Sequence, residues 1–214
     1  MEIDKKGHIY VNSHPRSGTT YFVRLLDVRY GFWEGNNNLV TKIWKEHFPQ
    51  VLLADIPDTL QISIVRDPVD CLSSAAIKDI GDFIQVPKPD KDEFYSLYFK
   101  NKVETYNKYL DNLIGTKASV LPVSFESVTD KSLDILKKID GMTSLIPVNS
   151  LEDTQERAVN AMKKSNNYNS FHNNYPMFKP PMYVDYKAKI ESYRDNILKE
   201  TYEKYNYLKS DVLL

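Results

Sequence analysis

Hydrophobic and polar positions along this chain switch between two periods, and the switches mark its elements. Residues 7–13 (GHIYVNS) are a short β-prone run and 14–18 (HPRSG) are turn material. From Thr19 to Tyr30 apolar residues then recur at helical spacing, at Phe22, Leu25, Leu26 and Tyr30. The pattern predicts strand, tight loop, helix. After a Gly- and Asn-rich loop at 31–38, Leu39–Trp44 predicts a second strand, and Leu60–Val65 (LQISIV) a third, apolar enough to be central in a sheet. Asp67 and Pro68 form an N-cap and first-turn pair opening a helix over about 69–78. A polar stretch at 81–89 precedes a long amphipathic helix over about 92–113, then a strand at 118–123 whose Pro122 suits its end. Helical periodicity returns at 129–139, 151–164 and 187–205, and residues 165–181 are too rich in Asn and Pro for anything but a surface loop. Strands alternating with helices predict one α/β domain over 1–214: a three-layer parallel sheet with helices on both faces.

Composition narrows the partners. Lys plus Arg number 28 against 29 for Asp plus Glu, so no global field favours nucleic acid or an anionic membrane, and an anion must be held by a local cluster. The single cysteine, Cys71, excludes a disulfide framework and a cysteine-rich metal site. The charged start, Met1 to Lys6, and the lack of an apolar run near ~18 residues predict neither a signal peptide nor a membrane span, hence a cytoplasmic protein.

Candidate chemistry gathers at the predicted strand ends. A strand feeding a short loop into a helix offers backbone N–H groups and the positive end of the helix dipole to an anion. Here Gly18 permits close approach, Ser17, Thr19 and Thr20 add hydroxyls, and Arg16 adds charge. The loop is not a Walker A sequence, because Ser13 and Thr19 stand where glycine and lysine would be required. Its plain alternative is a capped helix start. Arg66 follows the third strand, where open parallel sheets bind ligands, and Ser74 lies about two helical turns on, placed to share an anion with it. Lys45 and His47 end the second strand two residues apart, so they face one side of it, a cation beside a base that titrates near neutral pH. His8, His14 and His172 read as surface or loop residues, and Cys71, Tyr106 and Tyr109 as packing.

Taken in chain order, Pro15-Arg16-Ser17-Gly18-Thr19-Thr20-Tyr21, Lys45 to Pro49, and Arg66 with Ser74 resemble the motifs of the sulfotransferases that use 3′-phosphoadenylyl sulfate (PAPS), the cytosolic type most of all. Ser124-Phe125-Glu126 resembles a further family segment more faintly. The resemblance implies a P-loop-like fold, PAPS as co-substrate, no metal, and sulfuryl transfer to a hydroxyl or amine of a small-molecule or glycan acceptor. It implies that Arg16 to Thr20 grip the 5′-phosphosulfate, that Tyr21 stacks on adenine and that Arg66 and Ser74 hold the 3′-phosphate. His47 would be the general base, with Glu34 as the alternative, and Lys45 and Arg16 would neutralise charge on the transferring group. The family's glycine-containing closing loop near the C-terminus has no counterpart; Lys163, Lys164 and Lys179 are the cations near the Asn-rich segment in its place. A nucleotide kinase and an inactive nucleotide-binding protein are the rival readings.

Overall fold

A computed structural model of the chain describes residues 5–32, 43–46, 55–82, 91–164 and 187–211. Strand β1 (His8–Ser13) leads into helix α1 (Thr19–Tyr30), followed by β2 (Ile43–Glu46), β3 (Thr59–Val65), α2 (Pro68–Asp82), α3 (Lys91–Gly115) and β4 (Val120–Ser124). Then come α4 (Phe125–Asp130), α5 (Ser132–Met142), α6 (Leu151–Lys164), a helical turn at 187–191 and α7 (Lys199–Asp211). The strands pair in parallel in the order β2-β1-β3-β4.

Strand alternation divides the core between the two faces of this sheet. On one face Ile9, Val11, Leu60, Ile62, Ile64 and Val123 pack with α1, through Phe22, Leu25 and Leu26, and with α5, through Ile135, Leu136 and Ile139. On the other, Tyr10 and Val65 pack with α2, α3 and α7, where Tyr106, Tyr109 and Phe99 are the largest contributors from α3. Phe22, Leu25 and Leu26 are each 0% exposed, and full burial of such a side chain contributes about 1.5–3 kcal/mol. Every residue of β3 is buried, as an inner parallel strand requires. The architecture is therefore α/β, with a parallel sheet between helices.

The strand order places a topological switch beside β1. The chain leaves β1 to form β2 on one flank and returns to form β3 on the other, so the connections diverge at the carboxyl ends of β1 and β3. Ligands of open α/β sheets bind in such a crevice, and its walls here are the loop 14–18 and the Arg66–Asp67 turn.

Several expected boundaries shift. The described part of β2 is Ile43–Glu46, so Lys45 lies within the strand rather than beyond its end, while 39–42 fall outside the described residues. Pro122 sits inside β4 and is tolerated because β4 is at one end of the strand order, where a missing N–H breaks no ladder on the open side. Helix α2 runs through Gly81 to Asp82. The helix expected at 129–139 is two, divided at Lys131, whose φ of −126° and ψ of 30° are not helical. The helix expected at 187–205 is interrupted by turns at 192–198. There the Asn196 side chain accepts from the Ile197 N–H at 2.5 Å, and the Leu198 N–H donates to the Tyr193 carbonyl, five residues back, at 2.9 Å. The Asn-rich segment 165–181 lies outside the described residues.

Burial of phenols and of the thiol makes the fold sensitive to alkali. Desolvation raises the pKa of Tyr106 and Tyr109 above the ordinary 10.0, and pushes Cys71 from 9.0 up to about 11. Each group keeps its proton longer folded than unfolded, so its stabilisation is complete below the ordinary pKa and is lost as pH rises toward the folded one. Urea unfolding is expected to show constant stability from pH 7 to 8.5. Above pH 9 to 10 it should decline, by about 1.4 kcal/mol per pH unit for each such group. A Tyr109→Phe chain should decline less steeply; an identical slope would refute the assignment.

Candidate functional site

Sheet register brings the candidate residues to one edge. Ser13 pairs with Ile64, so the loop 14–18 leaves the sheet beside the last residues of β3, and Val65 pairs with Ser124, so Arg66 and Phe125 emerge side by side. The loop itself is strained: Arg16 adopts φ 74° and Gly18 φ 84°, both left-handed, the former uncommon for a residue with a side chain. Gly18 is the N-cap of α1 and supplies no side-chain cap, and the first turn of α1 holds no acidic residue to offset the positive end of the helix.

Three of the expected residues interlock across this edge. Arg66 Nη1 donates to the Arg16 carbonyl at 2.7 Å, and Arg16 Nε donates to Ser74 Oγ at 3.1 Å. Arg66 is 6% exposed and Ser74 1%. Among the described residues no carboxylate pairs with Arg66, and its Nε is buried with no hydrogen-bond partner. Phe125 accepts the guanidinium on its ring face, 4.1 Å from Cζ to centroid. A desolvated cation without a counter-charge is costly, and an anion in the crevice would relieve that cost.

The remaining loop residues are turned inward. The Thr19 hydroxyl bonds to that of Ser13, and Ser17 Oγ lies 3.7 Å from Cys71 Sγ, so neither of these two buried hydroxyls is presented to the crevice as the sequence suggested. Thr20 is half-buried in the first turn of α1. Tyr21 packs against the α1 side of the core, with its hydroxyl on Gln155 and Ser132, and burial raises its pKa. His14 is a structural part of the loop rather than a surface residue: 2% exposed, with Nδ1 3.4 Å from Cys71 Sγ and its ring edge-on to Tyr106 at 4.8 Å. Cys71 also donates to the Pro15 carbonyl at 3.4 Å, and burial holds its thiol protonated.

A second ring of contacts fixes the turn after β3. The Tyr106 hydroxyl donates to the Arg66 carbonyl, and Tyr109 to the Ile64 carbonyl at 2.9 Å. Asp67 caps α2, accepting from the Asp70 N–H at 3.1 Å, and also receives the Tyr202 hydroxyl at 3.2 and 3.1 Å on its two oxygens. Lys187 bridges to Asp70 at 2.6 Å.

No protein-family model and no curated protein matches the chain. Lys45 pairs with Val11 in the β1–β2 register, which carries it to the flank of β1 opposite Arg66. His47, Glu34 and Lys179 lie outside the described residues, and Lys163 and Lys164 close α6. Among the described residues no group of three or more His, Cys, Asp or Glu is gathered as for a metal ion, and no helix is long and apolar enough to cross a membrane.

Sequence reasoning missed Phe125, Tyr106 and Tyr202 as parts of the site's frame. The signals for Phe125 were its place directly after a strand and the faint family resemblance of Ser124-Phe125-Glu126, neither of which pointed to Arg66; for Tyr106 the signal was its polar tip on an otherwise apolar helix face.

Proposed function

We propose that the chain is a PAPS-dependent sulfotransferase built on a P-loop-like sheet. The observation that carries this reading is Arg66, a buried guanidinium with an unpartnered Nε and, among the described residues, no carboxylate partner, interlocked with Arg16 and Ser74 at the switch point. A two-ended anion suits two arginines placed there with a helix N-terminus. The loop backbone from Arg16 to Thr20 would take the 5′-phosphosulfate, and Arg66 with Ser74 the 3′-phosphate. Bound PAPS supplies an activated sulfuryl group, which passes to an acceptor oxygen or nitrogen as its bond to the phosphate oxygen breaks. Arg16 sets a fixed positive charge at the loop, and Lys45 adds a second from β2, which stabilises charge developing on the departing oxygen. His47 takes the acceptor's proton.

Transfer of labelled sulfuryl from PAPS to a panel of phenols, amines and sugars tests this reading. Wild-type chain is expected to label at least one acceptor class, and His47→Ala to reduce the rate by about 10²–10⁴-fold. Wild-type chain that labels none contradicts the proposal, and an undiminished His47→Ala rate moves the base elsewhere.

A further inference from the structure

Phe125 meets the loop at two points, the Arg66 guanidinium and the backbone of Gly18. Ser124 caps α4 by accepting the Ser127 N–H at 3.0 Å, which sets Phe125 at the first helical position, directly beside Arg66 across the sheet register. The ring then works with two surfaces. Its face lies 4.1 Å from the Arg66 guanidinium carbon. Its edge is so close to Gly18 that a Cβ there would stand 2.5 Å from two ring carbons. An aromatic face is negative and its edge positive, so a cation on the face and backbone at the edge is the favourable arrangement. Because Arg66 Nη1 holds the Arg16 carbonyl, a single ring touches Gly18 directly and Arg16 through Arg66. Those are the two residues of left-handed backbone in the loop.

We propose that Phe125 is a positioning residue of the anion loop, fixing the Arg66 guanidinium and the residue-18 backbone in the arrangement that receives phosphate groups. The proposal rests on the anion-binding reading of the loop. It assigns the ring a share of the anion affinity that acts through Arg66 and not through contact with the ligand.

The test compares Phe125→Met, which keeps volume without a ring, with Phe125→Tyr, which keeps the ring, and with Phe125→Leu as a second ring-free variant. Two readouts are taken: titration calorimetry with adenosine 3′,5′-bisphosphate (PAP), and the chemical shift of the Arg66 Nε–H in chain labelled at arginine. The ring should shift that resonance upfield in wild type and in Phe125→Tyr, and the shift should vanish in the ring-free variants. PAP affinity should fall about tenfold in the ring-free variants and stay within about threefold of wild type in Phe125→Tyr, a ratio in the range of a desolvated cation–π contact. Undiminished PAP affinity in the ring-free variants overturns the positioning role. Wild-type chain that binds neither PAP nor pyrophosphate overturns the anion reading itself, while the arginine resonance still reports whether the ring sits over Arg66.

Discussion

Gly18→Ala is expected to destabilise the chain by about 2–4 kcal/mol and to abolish its response to PAP. Residue 18 holds φ 84°, a left-handed conformation that an L side chain resists, and the new Cβ would lie 2.5 Å from Cδ2 and Cε2 of Phe125. The ring has little freedom to retreat, because its face carries Arg66 and its backbone starts a capped helix. Gly31 supplies an internal comparison. It has φ 77°, and a Cβ there would lie 2.9 Å from Val148, but that side chain is 62% exposed and can swing away. Gly31→Ala should therefore cost only about 1 kcal/mol, the backbone strain alone. Urea unfolding of the two variants reads the difference, and equal losses would show that the Phe125 contact is not rigid.

Replacing Arg66 should have the largest effect on binding. Arg66→Ala is expected to weaken PAP by about 30–1,000-fold, the loss of a buried, charge-assisted partner worth roughly 2–4 kcal/mol. AMP, which lacks the 3′-phosphate, should lose far less. Arg66→Lys should fall between, because an ammonium keeps the charge but cannot bond the Arg16 carbonyl and stack on Phe125 in the same planar fork. Calorimetry of both nucleotides against each variant checks this, with thermal unfolding to confirm that the chain remains folded. A uniform loss for PAP and AMP would assign Arg66 to loop support alone.

The parts of the fold legible in the sequence are those governed by local periodicity. Helix α1 spans Thr19–Tyr30 and α6 spans Leu151–Lys164, as their apolar spacing predicts, and β3 is the buried inner strand that its composition requires. Local chemistry also explains the Asp67 cap, which the Asp67-Pro68 pair announces. The break at 192–198 was not legible, because it turns on the Asn196 side chain capturing a neighbouring N–H within an otherwise helical pattern. The site divides along the same line. Arg16 and Arg66 could be placed at strand ends, and Ser74 two helical turns beyond Arg66, from motif spacing, and the structure brings them together. What surrounds them depends on the β3–β4 register and on the docking of α3 and α7, which no local window contains: Phe125 beneath Arg66, Tyr106 on its carbonyl, Tyr202 on Asp67. The inward turn of the Ser17 and Thr19 hydroxyls escaped for the same reason, since a loop hydroxyl reads alike whether it meets a ligand or the core.

The central claim, that the switch-point crevice is built for a nucleotide carrying a 3′-phosphate, is tested most directly by calorimetric titration of the wild-type chain with PAP, AMP and ATP, each with chelator and with Mg²⁺. The account predicts that PAP binds at least about tenfold tighter than AMP, one good charged contact's worth, and that Mg²⁺ leaves PAP affinity unchanged. ATP binding tighter than PAP and strengthened by Mg²⁺, or no nucleotide binding at all, would contradict it.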